Sequence, residues 1–374
     1  MSGMPSGNEK TALKETPMDF GIALATSADS WKTAKWAEEL GFSHAWFYDT
    51  QMLSADCFVA MGAAAVNTSK IRLGTGVLIP SNRIPAVTAN AFATLNQLAP
   101  GRIDFGVGTG FTGRRAMGFG AMTLSAMEEY IRVVYGLLDG EKVETTFEGK
   151  PARIKFLNPE AGCINTGDPI RLTLSAMGPK GRRLTAQLKA DWMTFSNGPE
   201  AGNAQLADMQ ASWAEAGNAA DDLYSVHFGL GCVLEDGEPA DSERAIIQAG
   251  PRAMVQLHRA VDEAVMGLPN SQKLPDSLAS LRDRYVQAAA SFDPEEPDRY
   301  LVTHRGHLMF VRPEERAYAT ADLIKYTSFT GTEAEIKDQV AQMRDAGYSQ
   351  FTIQLIPGAE AAIEDWARIK AAFA

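Results

Sequence analysis

The sequence predicts a (β/α)8 TIM barrel, and three observations favour this fold. Eight short apolar runs lack period-two alternation, as expected of strands that are buried on both faces. Helical stretches lie between these runs, and this alternation is typical of a parallel sheet. The chain has 374 residues, enough for the ~250 residues of one such barrel and for insertions in its loops.

The predicted elements follow one another in a regular order from Asp19 onward. The short apolar runs are assigned to strands at Phe20–Ala25, His44–Tyr48, Ile71–Val77, Ile103–Gly108, Ile170–Ala176, Trp192–Ser196, Tyr224–Val233 and Gln350–Leu355. The longer stretches between them are assigned to helices at Ser30–Leu40, Ala55–Asn67, Pro85–Leu98, Leu124–Leu138, Lys180–Lys189, Glu200–Ala216, Ser242–Val265 and Glu333–Ala346.

Two segments interrupt this alternation and are predicted to be insertions over one end of the barrel. Residues 140–169 contain turn dipeptides and an alternating pattern, which indicates a small hairpin. Residues 267–330 contain an extra helical stretch around Leu281–Ala290 and a Pro-rich turn. Residues 1–17 have no apolar run, so we expect a flexible N-terminal arm and not a signal peptide. Residues 18–374 then form a single domain.

Charge and composition exclude several classes of function. The 35 Lys and Arg residues are outnumbered by 46 Asp and Glu residues, which argues against a nucleic-acid partner because that affinity comes mostly from phosphate neutralisation. The longest apolar run, Phe58–Val66, is too short to span a bilayer. Cys57, Cys163 and Cys232 show no C-x-x-C spacing and cannot all be paired, which favours a reducing compartment. We therefore expect a soluble cytoplasmic protein with no nucleic-acid or membrane partner.

The ends of the predicted strands carry the candidate site, because chemistry in this fold takes place where strands pass into the following loops. Asp49 and Thr50 end the second strand, and small residues dominate the ends of the third and fourth strands. Glycine there lets a flat ligand approach the backbone closely. The candidate cofactor-binding positions on these three ends are Asp49, Thr75, Gly76, Val77, Thr109 and Gly110.

The fifth strand end has the clearest mechanism for binding an anion. Gly178 and Pro179 open the next helix, and proline is favoured in a first turn. The unpaired N–H groups and the positive dipole end of a helix attract negative groups, and Lys180, Arg182 and Arg183 add cations there. An ordinary cap with solvated cations is the alternative. The candidate anion-binding residues are Ser175, Ala176, Met177, Gly178, Pro179 and Lys180.

A glycine motif after the fourth strand gives a weaker indication. Gly108, Gly110 and Gly113 match the dinucleotide fingerprint, but they do not follow the first strand of the fold. The residues that come next are too rich in glycine to start a helix. A flexible loop against a ligand ring, with Arg114 and Arg115 nearby, is the favoured interpretation.

A short histidine motif, His304-Arg305-Gly306-His307, invites comparison with metal sites. Its spacing is not H-E-x-x-H, and Gly306 weakens a helix. No metal site is therefore predicted. A loop that contacts the substrate and a purely structural role are the two alternatives.

Four blocks of sequence carry a family resemblance. They are GFSHAWFYDT, IRLGTGVLIPSNRIPAVTANAFATLNQLAPGRIDFGVGTGF, LTLSAMGPKGRRLTAQLKADWMTF and TSFTGTEAEIKDQVAQMRDAGYSQFTIQL. Together they resemble the bacterial luciferase-like family of flavin-dependent monooxygenases and deazaflavin-dependent oxidoreductases. The resemblance implies an atypical TIM barrel, commonly oligomeric, with the cofactor ring in its C-terminal mouth. It also implies a phosphate cradle at Ser175–Lys180 and a non-prolyl cis peptide within Gly74–Val77.

The resemblance implies competing activities. The first expectation is a two-component monooxygenase, which takes reduced FMN from a separate flavin reductase and uses dioxygen to oxygenate a small organic, apolar or heteroaromatic substrate. The alternative is an oxidoreductase that moves a hydride between the deazaflavin coenzyme F-420 and a small molecule. A non-catalytic flavin-binding protein is a second alternative. We expect a homodimer or a higher homo-oligomer.

Three side chains are the catalytic candidates. Many deazaflavin-dependent relatives have Asp-His at the end of the second strand, whereas this chain has Asp49-Thr50, which argues against hydride chemistry that relies on that histidine. The Thr50 hydroxyl is a poor general base and is instead expected to hydrogen-bond the flavin. His304 and His307, with ordinary pKa values near 6.5, are expected to reach the strand ends and exchange protons there.

Overall fold

Eight parallel strands close into a barrel in the computed structural model, which describes residues 18–268, 270, 272–294 and 297–373. The predicted N-terminal arm, residues 1–17, lies outside the described residues. Along the chain the strands are β1 (Asp19–Leu24), β2 (His44–Phe47), β3 (Arg72–Thr75), β4 (Ile103–Gly108), β5 (Val143–Phe147), β6 (Lys150–Ile154), β7 (Arg171–Ser175), β8 (Asp191–Phe195), β9 (Ser225–Gly229), β10 (Val233–Leu234), β11 (Gly331–Thr332) and β12 (Gln350–Leu355).

The barrel closes in the order β1-β12-β9-β8-β7-β4-β3-β2, with every neighbouring pair parallel. Helices follow the strands and cover the outer face. They are α1 (Ser30–Glu39), α2 (Cys57–Asn67), α3 (Pro85–Leu98), α4 (Phe111–Arg115), α5 (Leu124–Leu138), α6 (Pro179–Gln187), α7 (Pro199–Glu215), α8 (Glu243–Met266), α9 (Ala279–Ala289), α10 (Tyr300–Thr303), α11 (Ala321–Thr327), α12 (Glu333–Ala346) and α13 (Ile363–Ala371). The predicted TIM barrel is confirmed.

One predicted strand is too long. The run Tyr224–Val233 leaves the barrel after Gly229, and its last residues pair with β11 in a separate two-stranded sheet. The cause is a close approach of two chain segments: a Cβ added to Gly231 would lie 1.9 Å from the Phe329 carbonyl oxygen. Because apolar character continues through both pieces, the sequence pattern does not reveal the break.

A short helix forms where the sequence predicts a flexible loop. Gly110 adopts a left-handed conformation (φ +80°), and α4 begins immediately after it. The helix holds one turn before the glycine-rich segment that follows, so the prediction that no helix begins here is wrong. Because Arg115 lies on this helix, its side chain is buried against Asp262 of α8 and does not reach the position expected for a ligand.

The barrel interior is filled by one large aromatic side chain facing glycines. Trp46 is fully buried on β2, and the strand register sets it beside Gly74 on β3. A Cβ at Gly74 would lie 2.6 Å from the indole ring, and one at Gly106 would lie 1.9 Å from the Thr75 carbonyl oxygen. These positions lack side chains because the indole and the neighbouring backbone already occupy the space.

The two insertions adopt different structures. Residues 140–169 contain the antiparallel pair β5–β6, which confirms the predicted hairpin. Residues 267–330 contain α9, which confirms the predicted extra helix, together with α10 and α11. Leu278, Leu281 and Tyr285 from this second insertion join Leu257 of α8 in a hydrophobic cluster separate from that of the barrel. The second insertion therefore packs as a second layer beside the C-terminal mouth.

We expect Gly74→Ala to lower the free energy of unfolding by about 1–3 kcal/mol, because overpacking against a fully buried indole forces neighbouring atoms to shift. Urea denaturation followed by tryptophan fluorescence measures this effect. Gly62→Ala is the matched control, because the added methyl on α2 meets no neighbour within 4 Å outside its own helix. The control should gain up to about 1 kcal/mol from helix propensity, and equal losses in both variants would contradict the packing argument.

Candidate active site

A cavity of about 880 Å³ opens at the C-terminal ends of the barrel strands. Almost every position that the sequence singles out lies in its wall, including the ends of the second to fifth barrel strands in chain order, β2, β3, β4 and β7. The predicted residues that line it are Asp49, Thr50, Gly76, Val77, Thr109, Gly110, Ser175, Ala176, Met177, Gly178, Pro179, Lys180 and His307. Thr75 and His304 do not line it.

Asp49 organises the loop that follows β3. Its buried carboxylate accepts hydrogen bonds from the Arg83 guanidinium at 2.9 Å, from the Ile79 backbone N–H at 3.0 Å and from the Asn82 amide at 3.1 Å. Both carboxylate oxygens are therefore engaged by the protein. Thr50 is half-buried, and its hydroxyl lies 2.7 Å from the Ser54 hydroxyl.

The third strand ends in a non-prolyl cis peptide between Gly76 and Val77, at the place that the family resemblance implies. Both residues lie in the cavity wall. Thr75, one position earlier, faces away: its hydroxyl donates to the Gly106 carbonyl oxygen at 2.7 Å and is fully buried. Thr75 therefore ties β3 to β4, so the expectation that this residue contacts a cofactor is not supported.

The start of α6 presents an open helix N-terminus to the cavity. Gly178 makes no side-chain cap, and Pro179 is the first helical residue. The first N–H groups of a helix have no partner within it, so those of α6 are available to a ligand. A Cβ at Gly178 would meet no atom within 4 Å, which shows that free space lies directly against this backbone.

Two of the three cations predicted beside this terminus are available to a ligand. Lys180 and Arg183 line the cavity, and neither forms an ion pair with a carboxylate of the described residues. Arg182 points elsewhere: it donates to the Met177 carbonyl oxygen at 2.5 Å and pairs with Asp208 at 2.9 Å. Arg182 therefore stabilises the loop and does not face the cavity.

Arg115 is likewise a structural residue. It is buried, forms an ion pair with Asp262 of α8 and lies 3.6 Å from the centre of the Phe111 ring. Arg114 donates to the Gly120 carbonyl oxygen at 2.6 Å. The prediction that these two arginines lie near a ligand ring is therefore not met, since neither lines the cavity.

Two buried arginines of α8 line the cavity, and the sequence analysis missed both. Arg252 donates to the Asn197 side chain at 3.1 Å, and Arg259 donates to the Gln272 side chain. Burial lowers the pKa of Arg252 to about 10 and that of Arg259 to about 9, so both remain cationic at neutral pH. Within the described part of the chain no carboxylate pairs with either guanidinium.

Tyr48 is a further missed residue, at the end of β2. It lines the cavity, and burial raises the pKa of its phenol, so the hydroxyl stays protonated at neutral pH. A tyrosine at a strand end gives no signal of its own, because most buried tyrosines are structural. Tyr48 comes two residues before Thr50, and both residues line the mouth of the barrel. This spacing is the one pattern that could have identified Tyr48.

The histidine motif is buried, and only one of its imidazoles reaches the cavity. His307 lies in the cavity wall with its Nε2 atom 3.0 Å from the Thr112 hydroxyl. Burial, and then the neighbouring His304 and His258, hold the pKa of His307 well below its usual range. His304 instead hydrogen-bonds Asp262 at 3.2 Å. The expectation that both imidazoles reach the strand ends is therefore wrong for His304.

Comparison with known proteins agrees with this fold. The family model of luciferase-like monooxygenases matches residues 18–350, so the chain belongs to that family. The chain is an enzyme of the luciferase-like oxidoreductase kind, with a flavin-type cofactor. Among the described residues, none of the helices combines the length and the apolar character of a membrane span.

Relatives of two activities are similar to this chain. The 5,10-methylenetetrahydromethanopterin reductase of Methanolobus tindarius is 29% identical over 256 residues, which cover 66% of this chain and 76% of that protein. The 4-hydroxyprotoasukamycin monooxygenase of Streptomyces nodosus subsp. asukaensis is 30% identical over 200 residues, which cover 50% of this chain and 52% of that protein. The coenzyme F-420-dependent tetrahydromethanopterin reductase of Methanopyrus kandleri shares the fold, with a TM-score of 0.67, 20% identity and coverage of 94% and 98% of the two chains.

We expect Gly178→Glu to weaken binding of the cofactor at least tenfold, or about 1.4 kcal/mol, because the new carboxylate would occupy and repel the position of a phosphate. Fluorescence titration with FMN and with F-420 measures the affinity. The melting temperature should not change, since the site has room for a side chain and ordinary backbone angles.

Gly120→Glu is the matched control, because that glycine also meets no atom within 4 Å and lies outside the cavity wall. Unchanged cofactor affinity in Gly178→Glu, or equal losses in the two variants, would exclude the phosphate position.

Proposed function

We propose that the protein transfers a hydride between the deazaflavin coenzyme F-420 and a small anionic substrate. The charge of the cavity is the observation that supports this assignment. Among the described residues, four cations line it, namely Lys180, Arg183, Arg252 and Arg259, whereas Asp49 is held by Arg83. In a chain of net charge −11, this concentration of positive charge favours the cofactor with an acidic oligoglutamate tail. The F-420-dependent oxidoreductase, which was the alternative in the sequence-based prediction, is therefore preferred to the FMN-dependent monooxygenase, which came first.

The backbone at the start of α6 would hold the phosphate group of the cofactor. The open N–H groups there, together with the dipole of the helix, favour a dianion. Lys180 and Arg183 lie on the same helix and extend the positive surface toward the cavity opening, where a longer acidic tail would lie. The glycines at the ends of β3 and β4 leave room for a flat ring close to the backbone.

Side chains of this protein have three roles around a bound cofactor, which itself supplies the hydride chemistry. Asp49 fixes the loop after β3 through its bonds to Arg83 and Asn82. Arg252 and Arg259 would bind a carboxylate or phosphate of the substrate and so orient it. Tyr48 carries a phenolic proton inside the cavity, and it would be suited to donate that proton to the substrate heteroatom that takes up the electron pair when the neighbouring carbon receives the hydride.

An FMN-dependent monooxygenase is the second candidate. It is favoured by Thr50, because no imidazole occupies the end of β2, where many deazaflavin-dependent relatives carry one. The similarity to a monooxygenase over 200 residues agrees with it. This activity would require dioxygen and a separate flavin reductase as a partner.

Binding of the two cofactors separates the candidates. We expect the purified chain to bind F-420 at least tenfold more tightly than FMN at low salt. The reason is that F-420 carries more negative charge for the cations of the cavity to neutralise. Fluorescence quenching measures both affinities, and the difference should shrink as salt is raised. Tighter binding of reduced FMN, with oxygen consumption on exposure to air, would replace this proposal by the monooxygenase.

The α8 arginines allow a separate test of the anionic substrate. Arg252→Met should raise the free energy of unfolding of the ligand-free protein by about 1 kcal/mol, because it removes a buried cation without an acidic partner. The same variant should lose part of the stabilisation that inorganic phosphate confers on the parent, because phosphate could still occupy the start of α6. Thermal denaturation with and without phosphate measures both effects.

Arg72→Met is the contrasting control at the other end of the barrel. Arg72 pairs with the buried Asp104 at 2.6 Å, so its loss leaves a carboxylate unpaired and should cost about 2 kcal/mol. Its response to phosphate should equal that of the parent. If Arg252→Met destabilises as much as Arg72→Met and is stabilised by phosphate as much as the parent, Arg252 is structural.

A further inference from the structure

Three buried imidazoles meet beside the cavity. His258 belongs to α8, whereas His304 and His307 belong to a tight turn of the second insertion, in which the His307 N–H donates to the His304 carbonyl oxygen at 3.1 Å. The exposed fractions of the three residues are 1%, 1% and 7%. One ring nitrogen from each lies within 4.8 Å of those of the other two.

The Nε2 atom of each ring already has a partner. His258 Nε2 lies 2.7 Å from a Glu315 carboxylate oxygen and His304 Nε2 lies 3.2 Å from an Asp262 carboxylate oxygen. His307 Nε2 lies 3.0 Å from the Thr112 hydroxyl. A carboxylate only accepts hydrogen bonds, so Nε2 of His258 and of His304 is the donating nitrogen, and Nδ1 is the atom of each ring that can offer a lone pair to a metal.

The Nδ1 atoms of all three rings are buried, and no donor among the described residues reaches any of them. A buried nitrogen without a partner destabilises the fold, and three of them lie in this one cluster. A cation bound by these nitrogens would supply the missing partner to all three.

We propose that the Nδ1 atoms of His258, His304 and His307 bind one divalent transition-metal ion of the class of Zn²⁺. Neutral imidazole is a preferred ligand of zinc, and a carboxylate on the other ring nitrogen is the usual support for it. Zinc–nitrogen bonds of 2.0–2.1 Å require each nitrogen to move inward by roughly 0.8 Å. Rotation of the side chains supplies such a shift.

The proposed metal would connect three parts of the chain. It would tie the second insertion to α8 and, through Thr112, to α4. Because His307 and Thr112 line the cavity, the ion would fix one cavity wall. Three protein ligands leave a fourth tetrahedral position for water. This site does not depend on which cofactor the cavity holds.

Metal binding to the purified full-length chain tests the proposal. The protein is stripped with a chelator, dialysed and titrated with Zn²⁺ in a calorimeter. We expect one equivalent to bind with a Kd below about 1 µM and the melting temperature to rise. Co²⁺ in place of Zn²⁺ should give the visible absorption of a tetrahedral nitrogen-ligated site. Absence of a bound equivalent would overturn the proposal.

Variants locate the ion. His304→Ala should weaken binding at least a hundredfold, whereas His227→Ala should retain it, because His227 is also buried with an unpaired Nδ1 but contacts aromatic rings and no second histidine. Thr112→Val is the milder test, since loss of the partner of a ligand typically costs tenfold to a hundredfold in affinity. Equal affinity in the parent, His304→Ala and Thr112→Val would place any bound zinc elsewhere and refute the site.

Discussion

Helix α8 buries a stripe of polar side chains. The segments around the mouth of the barrel are placed so that they supply hydrogen-bond partners to this stripe. A buried polar group must find a partner or weaken the fold. The partners come from distant parts of the chain: Asn197 follows β8, Arg115 belongs to α4, and Gln272, His304 and Glu315 belong to the second insertion. The buried polar residues of α8 are Gln248, Arg252, Gln256, His258, Arg259 and Asp262.

The cavity divides into regions built from different chemistry. Backbone groups and small residues, with Lys180 and Arg183 of α6, form the β3, β4 and α6 side, where the open helix N-terminus would favour a negative group. Charged side chains of α8 form the other side. Backbone recognition suits a cofactor common to many relatives, whereas side chains can vary without disturbing the barrel. This division is consistent with one family containing both reductases and monooxygenases.

The two cavity arginines lower the stability of the fold, and under the proposed function they would favour binding of an anion. A guanidinium that is held away from water without a carboxylate partner destabilises the ligand-free fold. The same burial lowers the pKa values of Arg252 and Arg259. The same groups are already desolvated and oriented when an anion arrives. Preorganised cations therefore bind more strongly than flexible surface lysines, which must first lose water and freedom.

Local pattern was sufficient to predict the alternation of strands and helices, the hairpin at residues 140–169 and the open end of α6, because each depends on neighbours in sequence. It also placed the cis peptide through family resemblance. Arg252, Arg259 and the role of His258 were missed, since a polar stripe on a helix looks the same whether it faces water or a cavity. His304 and Asp262 lie 42 positions apart and Arg115 and Asp262 lie 147 apart, so only the packing of the second insertion and of α4 against α8 could bring them together.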